Sequence, residues 1–173
     1  DVVFSYGKRY KHRLMKTYYD LNEYFKNALR QINGIGDVLS TDTIDNKFEV
    51  KNYDTALAVV SIEPTTSNDS FVAYDVRIEI VDTVDIDNNP VTDKYNGNNN
   101  IKDVYNFCLA SVRRIHLQLQ HKTSGNNKIQ VDAEPSVEKL YDKTQSVAGI
   151  AIDMVINIDD GMMSLCGDEN GNA

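Results

Sequence analysis

The segment from 72 to 80 constrains the chain most: Val72, Tyr74, Val76, Ile78 and Ile80 alternate with Ala73, Asp75, Arg77 and Glu79. Successive side chains of an extended strand point to opposite faces, so this pattern makes one dry face and one polar face. A sheet built on such a strand must be covered on one side and is free of cover on the other. Residues 147–158 repeat the arrangement, with Ala148, Ile150, Ile152, Met154, Ile156 and Ile158 on one face and Asp153 and Asn157 facing away.

Two helical stripes supply the cover. Leu14, Tyr18, Leu21, Phe25, Ala28 and Ile32 recur at spacings of four and three, which predicts an amphipathic helix over 12–33. Gly34 and Gly36 follow its last apolar position as a stop, and Arg30 stands in the last turn, where the helix dipole favours a cation. Ile101, Val104, Tyr105, Cys108, Val112, Ile115 and Leu119 form the second stripe, ended by 123–128 with Gly125. The first stripe spans about three heptads without clear flanking charge pairs, so packing on its own sheet is preferred to a coiled-coil seam.

Between these elements, Phe48 and Val50 alternate with charged neighbours, and 55–63 is β-branched and apolar, so both read as strands. A polar stretch precedes them through Asn46, and the Ser/Thr/Asn/Asp cluster at 64–70 reads as a hairpin loop. Residues 82–100 are acidic and Asn-rich, with Pro90 and Gly97, and read as a long loop. Ile129 and Val131 predict a short strand, and 135–141 a connection or helical turn. The sum is a two-layer α+β sandwich: a mostly antiparallel sheet with two amphipathic helices on one face and a polar second face, either solvated or an interface. At 173 residues one domain is expected over 1–173, with a basic N-terminal arm over about 1–13 and a polar C-terminal tail over about 161–173.

A composition of 41% hydrophobic and 25% charged residues is that of a folding chain. The net charge of −8 disfavours a general nucleic-acid or anionic-membrane binder, since phosphate would repel most of the molecule. No apolar run approaches the roughly 18 residues that span a bilayer, and no signal-peptide core is present, so a soluble protein is expected. The sequence begins at Asp1 and not at a methionine, from which removal of an upstream segment is expected. Cys108 and Cys166 are neither a disulfide framework nor a zinc spacing, and they leave the compartment open.

No catalytic constellation emerges, and no enzyme activity or cofactor is expected. His12, His116 and His121 carry no motif around them and read as solvated or core-edge residues. Gly34-Ile35-Gly36 lacks the third glycine and the preceding strand of a nucleotide fingerprint. The weak metal candidates are Asp85, Asp87, Asn89 and Asp93, oxygen ligands at alternate positions as in a calcium loop. Pro90 replaces the glycine such a loop needs, and Asn96 stands where it needs a bidentate glutamate, so a solvated acidic turn is preferred. The tail residues Asp168, Asn170 and Gly171 are similarly incomplete.

The remaining asymmetry is the N-terminal segment, where Lys8, Arg9, Lys11, Arg13 and Lys16 surround His12 among Tyr6, Tyr10, Tyr18 and Tyr19. Three readings stand: an ordinary solvated helical turn, a nucleic-acid arm with stacking tyrosines, and a subunit-docking arm. In the third, Lys8, Arg9, Lys11 and Arg13 meet an acidic surface of a neighbour, such as the 82–93 loop, in a head-to-tail contact able to close a ring.

The order of elements resembles that of phage tail-terminator and neck proteins. The likeness is carried by the helix opening Tyr18, Tyr19, Asp20, Leu21, Asn22, Glu23, Tyr24, Phe25, the 72–80 strand, the 101–119 helix and the 147–158 strand. The run Ser146, Val147, Ala148, Gly149, Ile150, Ala151, Ile152, Asp153 is also similar to ring proteins of crAss-like phages of gut Bacteroidales. The resemblance implies a virion component of the head–tail neck or tail end, assembled in the host cytoplasm. It would form a homo-oligomeric ring, hexamer or dodecamer, against portal, neck or tail proteins, with no sequence-specific nucleic acid and no membrane as partner. Two alternatives remain: an extracytoplasmic binding module of a Bacteroidetes-type bacterium whose signal sequence was removed, and a calcium-binding domain or metal-dependent enzyme on the Asp-rich loop.

Overall fold

The computed structural model describes residues 18–40, 55–67, 71–85, 99–124 and 129–159. In chain order these form α1 (Tyr18–Arg30), β1 (Ile35–Ser40), β2 (Ala56–Ser67), β3 (Phe71–Thr83), α2 (Ile101–Thr123), β4 (Ile129–Val131), β5 (Ser136–Asp142) and β6 (Val147–Asp159). One six-stranded sheet runs β1-β2-β3-β6-β4, with β5 also paired to β6. Among the described residues only β1 and β2 run parallel, and every other pairing is antiparallel. Both helices lie on the same face, which makes the two-layer α+β sandwich that the alternation and the two stripes predict.

The core sits between the layers. Leu21, Phe25 and Leu29 from α1 and Cys108, Val112, Ile115 and Leu119 from α2 are fully buried against Ile78, Ile80, Ile152, Ile156 and their row neighbours. β6 lies at the centre, paired along its whole length to β3 on one edge and to β5 and β4 on the other. Its residues 150, 152, 154, 156 and 158 face the helices as expected. The two helices also meet through Lys122, whose Nζ sits 4.3 Å from the centre of the Tyr24 ring. Burial lowers the pKa of Lys122 and pushes that of the Tyr24 phenol up to about 12. Among the described residues no helix is long and apolar enough to cross a membrane.

Three local expectations are corrected. The stretch after Gly36 is not simply polar: a strand starts at Ile35, directly after Gly34 turns the chain at φ 99°. With β2 as its single neighbour among the described residues, β1 buries Ile35 and half-buries Val38, too little for an alternation to show. The 64–70 loop is shorter than expected, because β2 continues through Ser67. Its register slips between Pro64 and Thr66, and a bulge is one of the few places where a strand tolerates proline. Residues 136–142 are a strand and not a connection or helical turn. β5 is exposed along nearly all its length, so no dry face marked it. The expected strand at Phe48 and Val50, residues 12–17 of the first helix, most of the 82–100 loop and the C-terminal tail lie outside the described residues.

The face away from the helices is drier than the alternation predicts. Leu57, Val59 and Val81 are buried there, with Leu140 packed against them. Glu79, expected to face solvent, is 3% exposed. The other end of this face is polar and open, and the charged side chains converge there.

Candidate binding groove on the open face of the sheet

Arg77 projects from the middle of β3 onto the open face, directly opposite Ser61 on β2 and Asp153 on β6. Its Nε donates to Glu79 Oε1 at 2.6 Å, one terminal nitrogen to Asp153 Oδ2 at 2.9 Å, and the other to Glu138 Oε2 at 2.8 Å. Burial alone would lower the guanidinium pKa, but hydrogen bonds to Glu138, Glu79 and Asp153 outweigh it and hold it above its ordinary value. A single cation therefore serves three carboxylates. The contact with Glu79 is the dry one, because that side chain is 4% exposed while Asp153 and Glu138 are 42% and 57% exposed.

Beside this cluster runs an open groove of about 530 Å³, walled by Glu63 and Asp75 on one side and by Asp132, Glu134 and Asp153 on the other. Among the described residues Arg77 is its one basic lining residue. No ion pair among the described residues reaches Glu63, Asp75, Asp132 or Glu134. The 132–134 wall is held from the helix layer: His116 Nε2 donates to Asp132 O at 2.8 Å, which fixes the tautomer with the proton on Nε2. Asp132 N donates to Val155 O at 3.0 Å, and Asp132 Oδ1 accepts from Glu134 N at 3.1 Å. His116, expected at the core edge, is thus 7% exposed and braces the groove wall. Carboxylates spread over several chain segments around a concavity make a surface of negative potential.

Of the residues singled out from sequence, Lys8, Arg9, Lys11 and Arg13 lie outside the described residues, as do Asp87, Asn89 and Asp93. Asp85 is described, and its backbone N–H donates to Asn100 Oδ1 at 2.9 Å, tying the loop's start to the residue before α2. Among the described residues no three His, Cys, Asp or Glu side chains are placed to hold a metal ion. Cys108 is fully buried against the sheet. Burial, with the nearby Asp82 charge, pushes its thiol up to about 12 despite a backbone hydrogen bond at Ile150. A thiol so raised holds almost no thiolate near neutrality. Cys108 is expected to stay unmodified by iodoacetamide at pH 8 in the native protein and to react once denaturant is added. Peptide mass mapping reads this separately from Cys166.

Sequence reasoning missed the groove as a unit. Alternation placed Asp75 and Asp153 outward, but nothing in the chain order brings Glu63, Asp132 and Glu134 beside them. A second, smaller hollow of about 190 Å³ lies between α1 and β1, where Tyr19 and Leu39 are exposed and Ser40 Oγ donates to Asn22 Oδ1 at 2.9 Å. No family model matches the chain, and no curated protein matches it significantly in sequence.

Proposed function

We propose that the chain is a structural assembly subunit that joins copies of itself into a ring in the head–tail neck or tail end of a tailed phage, next to the portal complex. The observation that carries this reading is the charge division of the molecule. An open sheet face bears an acid-rich groove, and the same chain carries Lys8, Arg9, Lys11 and Arg13 close together near its N-terminus. A surface and its complement on one chain make a heterologous contact, which closes into a ring when the rotation between copies permits. The two-layer sandwich is compatible with the neck-protein resemblance, and the net charge of −8 suits a channel that must not grip passing DNA.

Light scattering across a concentration series at low and high salt tests it. The wild type is expected at a multiple of the 19.5 kDa chain mass. That mass should fall as salt screens the contact, since exposed charges interact over only about 10 Å at 0.1 M salt. Replacing Lys8, Arg9, Lys11 and Arg13 with glutamine is expected to abolish the association. A single-chain mass at every concentration would overturn self-assembly and favour the binding-module alternative, with the groove as its binding surface.

A further inference from the structure

We infer that the acidic groove of one copy receives the basic segment 8–16 of a neighbouring copy, an inference that rests on the self-assembly reading above. The sequence alone pointed the arm at the 82–93 loop; the structure supplies a built surface elsewhere. The groove is concave, and four of its five lining carboxylates meet no cation among the described residues. Arg77 is committed to Glu79, Asp153 and Glu138, which leaves Glu63, Asp75, Asp132 and Glu134 uncompensated among the described residues. These carboxylates are spread along the groove on separate segments and do not converge as ligands of one ion would. A segment with cations at positions 8, 9, 11, 13 and 16 carries its charges spread in the same manner.

Tyr18, the first residue of α1, packs on Tyr74 on the helix side of the sheet, with ring centres 6.5 Å apart, and the groove opens on the opposite side. On the self-assembly reading the occupant comes from another copy, because a contact that closes a ring must join two chains.

The test uses two neutralised variants of the full chain, arm-neutral (K8Q, R9Q, K11Q, R13Q) and groove-neutral (E63Q, D75N, E134Q). The groove positions are exposed and pair with no described cation, so circular dichroism and melting of that variant are expected to match the wild type. At a concentration where the wild type assembles, each variant alone is expected to sediment as a single chain. A one-to-one mixture is expected to give a species of twice the chain mass, because one variant keeps the groove and the other the arm. A control neutralising Glu23 and Asp37, exposed carboxylates away from the groove, is expected to assemble like the wild type. Groove-neutral protein that assembles normally while arm-neutral protein does not overturns the inference and leaves the self-assembly reading intact. A mixture that stays at single-chain mass overturns the contact between copies. Wild type that never assembles overturns the reading and the inference together.

Discussion

Replacing Arg77 with methionine is expected to destabilise the protein by about 3–4 kcal/mol, the lower part of the range for breaking a buried ion pair by removing one partner, since Arg77 itself is 28% exposed. The reason is the carboxylate it leaves behind. Glu79 is 4% exposed and takes its hydrogen bond from Arg77 Nε at 2.6 Å. Without the guanidinium, that charge stays on a face dried by Leu57, Val59 and Val81 nearby. Asp153 and Glu138, 42% and 57% exposed, regain water and add little to the loss. At this chain length the change corresponds to a fall in Tm of roughly 10 °C. Adding Glu79→Gln to the Arg77→Met variant is expected to recover more than half of the loss, because a neutral amide is cheaper to bury than an unpaired charge. Urea unfolding with an unchanged m-value measures both effects. A loss below about 1 kcal/mol for Arg77→Met would mean that water reaches Glu79 and that the pair is not what holds this face.

Gly149→Ala is expected to cost about 3 kcal/mol, at the upper end for forcing extra volume into a packed site. Gly149 lies in β6 opposite Val81 of β3 and Leu140 of β5. A Cβ there would collide with the Ile80 carbonyl oxygen and come within 2.7 Å of Val81 Cγ1 and 2.8 Å of Val81 Cα. Two of these three neighbours are backbone atoms of β3. They move only if the β3–β6 ladder, which runs from Phe71–Asp159 to Thr83–Val147, is disturbed. On the same face, Leu140 of β5 packs against Val81 and its buried neighbours. Thermal melting of Gly149→Ala is the check, and a change within about 0.5 kcal/mol would show that β3 and β6 separate to admit a methyl group more readily than their pairing implies.

The parts of the fold that could be read in advance are those where one face is dry and the other wet. α2 and strands β3 and β6 show a strong period because each is buried on one side by many neighbours, so the apolar residues cannot be elsewhere. β1 and β5 were missed for the opposite reason. Both stand at sheet edges among the described residues, β5 is exposed on nearly every residue and β1 buries little beyond Ile35. Their pairing is backbone hydrogen bonding, which leaves no mark on side-chain composition. The Gly34 stop was legible because a positive φ selects glycine. That a strand begins one residue later was not.

The candidate site divides along the same line. The amino-acid sequence by itself determined the α+β layering, the outward direction of Asp75, Arg77 and Asp153, and the basic character of 8–16, since each follows from period or charge within one segment. Only the tertiary structure decided that Arg77 stands opposite Asp153 and beside a buried Glu79. It also decided that His116 holds the 132–134 turn as a wall, and that Glu63, Asp75, Asp132 and Glu134 share one groove. Those relations depend on strand order and register, which are set by the packing of the whole sheet against its helices. No local pattern encodes which two distant strands become neighbours.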